Sequence, residues 1–207
     1  MQVGPRYKIC KRLGNSVFEK CQTQKFALAS ERNRKSRSGR RGRPKTLSDY
    51  GRQLIEKQKI RYTYGISERQ LLNMVKEAAA RHGDTDTAGQ LIHLLESRLD
   101  NVVYRAGLAS TRRLARQIVT HGHITVNGRK MTIPSYRIRE GEAFAVRDGS
   151  KGKPLFENRM KELLEYKTPQ WMTFDPKVLS GKITGRPSWD ITEISFDVAA
   201  VIEFYTR

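Results

Sequence analysis

The spacing of apolar residues predicts three helices in the first half of the chain. Ser48 stands where a helix N-cap is expected, ahead of a first helix that runs to about Tyr62. A capping-box pattern, Ser or Thr followed three residues later by Gln, begins at Ser67 and again at Thr87. The third helix is predicted to run unbroken to Gly107 and to bury one apolar stripe, which consists of Leu91, Leu94, Leu95, Leu99, Val102 and Val103.

A short amphipathic helix follows, capped by Ser110 or Thr111 and closed by Gly122. At about 100° per residue its apolar side chains fall within one arc, which contains Leu114, Ala115, Ile118 and Val119. Arg112, Arg113 and Arg116 fall on the opposite side. We therefore expect one face of this helix to pack and the other to offer three guanidinium groups.

A small antiparallel sheet is predicted after this helix. Asn127-Gly128 is typical of a type I′ turn and joins predicted strands at residues 123–126 and 129–133. A second turn at residues 139–142 precedes a strand at 144–146. The sheet and the preceding helix pair form one compact domain in this interpretation.

The last sixty residues are predicted to contain a helix at about 155–166, a loop rich in Gly and Pro, and a terminal strand. That strand holds Val201, Ile202, Phe204 and Tyr205 on both sides of Glu203. The fold class is α+β, an N-terminal helical region with a basic irregular arm plus a small domain of a helix pair and a β-sheet. The predicted domains are an arm at 1–47, a helical region at 48–97, the helix-pair and hairpin domain at 98–160, and a segment at 161–207 that packs back on the helical region.

Charge changes this picture most. The 207 residues include 40 Lys and Arg against 21 Asp and Glu, a formal net charge of +19. Residues 1–61 hold 18 basic and 4 acidic residues, and residues 98–147 hold 10 and 3, whereas the last sixty are balanced. Two basic blocks in a chain with 37% hydrophobic residues favour a folded protein with a polyanionic partner.

The densest positive run contains no acid and consists of Arg32, Arg34, Lys35, Arg37, Arg40, Arg41, Arg43 and Lys45. Ser, Gly and Pro interrupt it, so we expect this segment to be irregular until a polyanion neutralises it. A solvated tail or a localisation signal is the alternative to nucleic-acid contact.

The second basic block supplies the other candidate RNA contacts. They are Arg105, Thr111, Arg112, Arg113, Arg116, His121, His123, Asn127, Arg129, Lys130, Tyr136, Arg137 and Arg139. Guanidinium groups bind phosphates bidentately, and the absence of a base-reading recognition helix favours folded RNA over duplex DNA. Further candidates in the helical region are Tyr50, Arg52, Lys57, Lys59, Arg61 and Arg69.

Three motifs together resemble the family of small-subunit ribosomal protein four. They are residues 95–105 (Leu-Glu-Ser-Arg-Leu-Asp-Asn-Val-Val-Tyr-Arg), 111–117 (Thr-Arg-Arg-Leu-Ala-Arg-Gln) and 121–128 (His-Gly-His-Ile-Thr-Val-Asn-Gly). Similar sequence continues at residues 47–51, 56–59, 64–65, 68–70, 133–136 and 201–205, so that the resemblance covers essentially the whole chain. It implies a structural protein that binds small-subunit ribosomal RNA, nucleates assembly, and lies near the messenger RNA entrance beside small-subunit protein five.

Two alternatives to a ribosomal protein are considered. Arg98-Leu99-Asp100 is similar to the catalytic motif of pseudouridine synthases, some of which carry this RNA-binding domain, but their aspartate belongs to a large catalytic domain for which this chain has no room. We instead expect Asp100 to pair with a nearby arginine such as Arg98, Arg105 or Arg113. A free basic RNA chaperone is the other alternative, and it would leave the residues outside 98–147 unexplained.

No metal, cofactor or membrane partner is predicted. Some members of the family have a four-cysteine zinc site, whereas this chain has only Cys10 and Cys21, and a tetrahedral site needs four ligands. His121 and His123 have no third ligand in view. No apolar run approaches the roughly 20 residues that span a bilayer, and the N-terminus has no signal-peptide pattern. A cytoplasmic bacterial ribosome is expected, with an organellar ribosome as the alternative.

Overall fold

The computed structural model describes residues 3–14, 17–18, 21–38, 47–80, 86–163, 165–187 and 196–206. The helices are α1 (Arg6–Leu13), α2 (Gln24–Ser38), α3 (Asp49–Tyr64), α4 (Glu68–Ala80), α5 (Thr87–Glu96), α6 (Leu99–Arg105), α7 (Arg112–Thr120), α8 (Asp148–Lys151), α9 (Pro154–Leu163) and α10 (Val198–Thr206). The strands are β1 (Ile124–Val126), β2 (Arg129–Met131), β3 (Ala143–Val146), β4 (Met172–Asp175) and β5 (Ser180–Ile183). These elements confirm the α+β class. No helix among these residues has the length and apolarity to cross a membrane.

The chain divides into two compact units, residues 1–77 with 191–207, and residues 78–190. This division differs from the predicted domains, because β4 and β5 belong to the same five-stranded sheet as the hairpin, in the order β2-β1-β3-β5-β4. β5 pairs antiparallel with β3, with Ala145 opposite Ser180, so each strand supplies backbone hydrogen-bond partners to the other. Of the predicted C-terminal segment, residues 191–207, which include α10, belong to the first unit.

Helices α1, α2, α3 and α10, with most of α4, form the first unit. Ser48 caps α3 as predicted, since its Oγ accepts a hydrogen bond from the Gly51 amide at 3.2 Å. The predicted irregular arm is instead partly helical, because α2 extends through the first part of the basic run. Arg, Lys, Glu and Ala are good helix formers, which explains the helix despite its interruptions by Ser. Residues 39–46 of the run lie outside the described residues.

A small apolar core lies beside these N-terminal helices. It consists of Cys10, Phe18, Cys21 and Phe26, with Val3, Ile9, Val17 and Tyr62 packed against it. Cys10 and Cys21 are both buried, and no disulfide joins them. They pack as small apolar side chains in this core.

The predicted terminal strand is wrong: residues 198–206 form α10, which packs on α3. Asp197 begins this helix, since its Oδ1 accepts a hydrogen bond from the Ala200 amide at 3.2 Å. The run of β-branched and aromatic residues suggested a strand, but the buried residues Val198 and Val201 lie three apart, as on a helix face. The Gln53 amide and the Glu203 carboxylate join the two helices at 2.9 Å.

In the second unit, the helix predicted to be unbroken is two helices, α5 and α6. Arg98 between them is extended (φ −66°, ψ 136°) and pairs in an isolated β-bridge with Arg137. The Leu99 and Asp100 amides donate to the Tyr136 and Pro134 carbonyls at 2.8 and 3.1 Å. These long-range acceptors satisfy amides at the start of α6, which lack partners inside the helix, and they thereby stabilise the break.

The sheet and the helices α6, α7 and α9 enclose the main core, in which Leu99, Val102, Ile118, Phe144 and Phe156 are fully buried. The predicted hairpin is confirmed: β1 and β2 pair across Asn127 and Gly128, both with positive φ (49° and 77°) as a type I′ turn requires. Gly181 on β5 is needed for close packing, since a Cβ there would lie 2.8 Å from the Phe144 ring and 2.6 Å from the Thr173 carbonyl oxygen.

Candidate RNA-binding surface

Helix α7 carries the centre of the predicted surface. Thr111 caps it, with its Oγ1 accepting from the Leu114 amide at 3.0 Å. Ala115, Ile118 and Val119 are buried as expected, and α7 packs against α6. Amphipathic spacing therefore fixes which residues of α7 remain outside the core.

The three arginines opposite the apolar arc are not equivalent. Arg113 is exposed, as predicted. Arg112 and Arg116 retain only 21% and 31% side-chain exposure, because both turn toward side chains of residues 96–101. The prediction of three solvated guanidinium groups is therefore corrected for two of them.

The fully buried Glu96 carboxylate holds the first arginine group. Arg105 Nε donates to Glu96 Oε2 at 2.9 Å, and the Asn101 amide donates to the same oxygen at 2.6 Å. Arg112 Nε donates to Asn101 Oδ1 at 2.8 Å, while its Nη2 lies 4.0 Å from Glu96 Oε1. The Arg112 guanidinium also lies over the Tyr104 ring, 4.3 Å from its centre.

Asp100 holds the second arginine group. Arg98, itself 1% exposed, donates Nε and Nη2 to the two Asp100 oxygens at 3.1 and 2.9 Å, a bidentate pair. Arg116 Nε lies 3.7 Å from Asp100 Oδ2. The expectation that Asp100 pairs with an arginine is confirmed for Arg98, whereas Arg105 pairs with Glu96.

Near the hairpin, Glu142 accepts hydrogen bonds from two of the side chains that were predicted to contact RNA. It accepts hydrogen bonds from the Asn127 amide at 3.1 Å and from the Tyr136 hydroxyl at 2.9 Å. The hydrogen bond to Glu142 raises the pKa of the Tyr136 hydroxyl, and burial raises it further. Asn127 Oδ1 also accepts from the Ala143 amide at 3.0 Å. Asn127 and Tyr136 thus fix the hairpin against β3.

The basic side chains of the hairpin and the following turn, Arg129, Lys130 and Arg139, are exposed, while Arg137 is half-buried. β2 is an edge strand of the sheet, so Arg129 and Lys130 project from a border of the domain. Together with Arg113, these exposed cations contribute accessible positive charge to this unit.

The two histidines differ in environment. His121 is exposed at the end of α7, whereas His123 is half-buried, with Nδ1 2.9 Å from the Ser150 hydroxyl and its ring 6.1 Å from that of Phe156. Burial, and next the positive charge of Lys153, lower the pKa of His123. The lowered pKa favours the neutral form of the His123 ring. Across the described residues, no group of three or more His, Cys, Asp or Glu side chains is arranged to hold a metal.

In the first unit, Lys57 is the clearest correction to the candidate set. It is 6% exposed, pairs with Glu68 at 2.8 Å and lies 4.1 Å from the centre of the Phe204 ring. Lys57 thus holds α10 and α4 to α3 and is not accessible to RNA. The Tyr205 hydroxyl donates to the same Glu68 oxygen at 2.6 Å.

The other candidates of α3 and α4 differ in exposure: the side chains of Lys59 and Arg61 are only 15% and 18% exposed, whereas Arg52 is exposed. Lys59 pairs with Glu56 at 2.6 Å, Arg61 pairs with Glu68 at 3.1 Å, and Arg52 pairs with Asp49. Arg69 and Tyr50 are exposed, and the Tyr50 ring lies 5.5 Å from that of Phe204.

The basic run is described only in part. Arg32 is exposed on α2, and Arg34, Lys35 and Arg37 lie on the same helix, where their side chains are outside the described structure. Arg40, Arg41, Arg43 and Lys45 lie outside the described residues.

Sequence reasoning missed the acids and several cations of this surface. Glu96 and Asn101, which fix Arg105 and Arg112, were not among the candidates. Glu96 lies in an apolar run four residues before Asp100, and an acid in such a run indicates a buried carboxylate paired with a cation. Arg147 and Lys153 were also missed. Both are exposed and close enough to His123 to lower its pKa.

A helix pair on a small antiparallel sheet, with cations on one helix and a hairpin edge, defines an RNA-binding protein of the α+β class. The S4 domain model matches residues 97–144, and the model of the ribosomal protein S4/S9 N-terminal domain matches residues 2–96. Small ribosomal subunit protein uS4 of Roseiflexus castenholzii is 44% identical over 99% of this chain and 98% of its own length. The proteins of the same name from Thermus thermophilus and Levilactobacillus brevis are each 40% identical over 99% of this chain and 98% of theirs.

The chain belongs to the family of small ribosomal subunit protein uS4, a structural protein of the ribosome and not an enzyme. The resemblance found in the sequence is thereby confirmed.

Proposed function

We propose that this protein is a primary binder of small-subunit ribosomal RNA that nucleates assembly of the subunit. The observation that carries this proposal is the positively charged surface of residues 98–147, where arginines and the hairpin cations surround a well-packed core. Bidentate guanidinium groups suit phosphate and shape readout of folded RNA. The relatives and their bacterial sources support a cytoplasmic ribosome as its location.

The test is binding of the full chain to purified small-subunit RNA at several salt concentrations. If phosphate contacts dominate, log affinity falls linearly with log salt, by roughly 0.7–0.9 per contact, and we expect on the order of five to ten contacts. Replacing Arg113, Arg129 and Lys130 with Ala should weaken binding and make the slope shallower. The matched control replaces Lys167, Lys177 and Lys182, exposed cations of the same unit, with Ala. Equal effects of the two triple variants, or a binding curve independent of salt, would refute the proposal.

We also propose that the basic run faces messenger RNA at its entrance to the ribosome. A segment rich in Arg and Lys can neutralise moving phosphates without binding one base tightly. We assign Arg32, Arg34, Lys35 and Arg37 mainly to ribosomal RNA, and Arg40, Arg41, Arg43 and Lys45 to both RNAs. Ribosomes reconstituted with these last four changed to Ala should assemble normally and pass messenger hairpins more slowly. Normal assembly with unaltered unwinding would contradict the shared role.

The start of α3 is proposed as the contact with small-subunit protein five. Leu47 and Tyr50 are 60% and 54% exposed, and exposed large apolar side chains are typical of protein interfaces. Tyr50→Ser should weaken association with protein five in a binding titration. Leu28→Ser, at a residue of α2 that is 57% exposed, is the matched control. Equal association of both variants and the unchanged protein would reject this surface.

A further inference from the structure

Two buried carboxylates lie beneath the arginines of the second unit. Glu96 is fully buried and Asp100 is 5% exposed. Burying a carboxylate is costly unless cations and hydrogen-bond donors surround it. Both acids meet this condition through arginines, and those arginines lie on the elements proposed to bind RNA.

The arginines held by the acids become steadily more exposed toward the surface. The side chain of Arg98 is 1% exposed, that of Arg105 13%, that of Arg112 21% and that of Arg116 31%. Four guanidinium groups thus surround two carboxylates. Because the inner arginine is enclosed, RNA can reach only the three outer ones. A partly buried charge is screened less by salt than one on a fully exposed side chain.

The position of Arg112 is fixed on three sides. Asn101 accepts from its Nε, Glu96 lies near its Nη2, and the Tyr104 ring lies beneath its guanidinium plane. A long side chain that is ordered before binding loses little conformational freedom when it meets its partner. Glu96 also accepts a hydrogen bond from the Nε of Arg105, and it therefore fixes two guanidinium groups relative to each other.

From this geometry we infer that Glu96 and Asp100 are positioning residues that hold Arg105, Arg112 and Arg116 as a preformed site for RNA phosphate groups. The acids bring no contact of their own to RNA; they act through the arginines. This inference rests on the proposed function, since it names the residues that organise the proposed RNA-binding surface.

The inference makes a prediction opposite in sign to that of net charge. Glu96→Gln adds one unit of positive charge, which by itself would strengthen binding to any polyanion. In the buried site, however, the Gln amide replaces one carboxylate oxygen with an NH₂ group. This NH₂ group would face the N–H donors of Arg105, Arg112 or Asn101, and because two donors cannot bond each other, the arginines lose their fixed arrangement. Glu140→Gln makes the same charge change at an exposed residue beside Arg139 and is the matched control.

Both variants are titrated against purified small-subunit RNA and against a homopolymer RNA of equal length. We expect Glu140→Gln to bind small-subunit RNA as tightly as the unchanged protein or more tightly. Glu96→Gln should bind it roughly tenfold more weakly, the size expected for loss of one charged hydrogen-bonding contact, while homopolymer binding is not weakened. Small-subunit RNA binding by Glu96→Gln that matches Glu140→Gln would overturn the inference.

A second measurement separates positioning from general stability. If Glu96 acts through Arg112, Glu96→Gln should cost less RNA affinity in an Arg112→Ala background than in the unchanged protein. The same fold-loss in both backgrounds would contradict positioning. Should Glu96→Gln not fold, Arg112→Lys decides, because it keeps the charge and loses the planar set of donors; unchanged affinity would again overturn the inference. If the unchanged protein itself does not prefer small-subunit RNA, the proposed function fails instead.

Discussion

Replacing Arg112 with Ala should destabilise the second unit, although Arg112 lies on the polar side of an amphipathic helix. The change removes the hydrogen bond to Asn101 at 2.8 Å and the contact with the Tyr104 ring at 4.3 Å. It also withdraws positive charge from the fully buried Glu96. Arg113→Ala, one residue further along the helix, removes an exposed side chain and should change stability by less than about 0.5 kcal/mol.

The magnitude follows from these contacts. A hydrogen bond from a charged group contributes about 1.5–3 kcal/mol, and a partly exposed cation–π contact about 0.5–1 kcal/mol. The ion pair with Glu96 is long at 4.0 Å and Arg112 is 21% exposed, so we assign it little beyond this. We therefore expect Arg112→Ala to cost about 2–4 kcal/mol, comparable to the roughly 2–5 kcal/mol expected for the core change Ile118→Ala.

Urea unfolding followed by tryptophan fluorescence measures this effect in the intact chain. Trp171 lies in the core of the second unit and is 6% exposed, so its fluorescence reports the unfolding of that unit. With a slope of about 2 kcal/mol per molar urea, the midpoint of Arg112→Ala should fall by about 1–2 M. Ile118→Ala serves as the positive control and Arg113→Ala as the negative one. Equal midpoints for Arg112→Ala and Arg113→Ala would refute the role of Arg112 in this buried cluster.

Three further changes test other parts of the structure. Gly181→Val should destabilise the second unit by at least about 1–3 kcal/mol, because its Cβ would lie 2.6 Å from the Thr173 carbonyl oxygen; a urea midpoint equal to that of the unchanged protein would contradict the packing. Burial raises the pKa of Glu68, but the hydrogen bonds from Lys57 and Tyr205 outweigh burial and hold this pKa below its ordinary value of 4.5. The ionised Glu68 therefore contributes its full stabilisation above about pH 4.5, and this stabilisation is lost as the pH falls through the lowered pKa. Glu68→Gln should flatten this loss of stability in acid, measured as melting temperature against pH. Asp100→Asn should alter RNA affinity, whereas neither the variant nor the unchanged purified protein should form pseudouridine in RNA. Pseudouridine formation that requires Asp100 would overturn this expectation.

The local elements of the second unit could be predicted from sequence because short-range chemistry fixes them. The Thr111 cap, the apolar arc through Ile118 and the Asn127-Gly128 turn each depend on residues close in the chain, and each is present. The break at Arg98 could not be found in this way. Its partners, the Tyr136 and Pro134 carbonyls, lie more than thirty residues away, and only the folded chain brings them to the start of α6.

The same limit applies to the terminal helix and to the arginines. Residues 198–206 have strand-like composition, and their helical form depends on packing against α3 and on the Asp197 cap. For the arginines, spacing on α7 correctly gave the polar face but not the neighbours that face it. Arg112 and Arg116 turn inward because Asn101, Glu96 and Asp100 on the adjoining segment supply acceptors, and this pairing is set by how α6 and α7 pack.

The buried acids also change how the positive charge of this domain is understood. A count of residues 98–147 treats Asp100 as one charge subtracted from ten basic residues, and Glu96 lies just outside that count. In the structure these acids allow arginines to pack closely enough to share one face, because like charges this near one another would otherwise repel. Removing the acids would increase the net charge and scatter the guanidinium groups. Affinity for a folded RNA, whose phosphates have fixed spacing, depends on that arrangement as well as on the total charge, which is why an added positive charge at Glu96 should weaken binding.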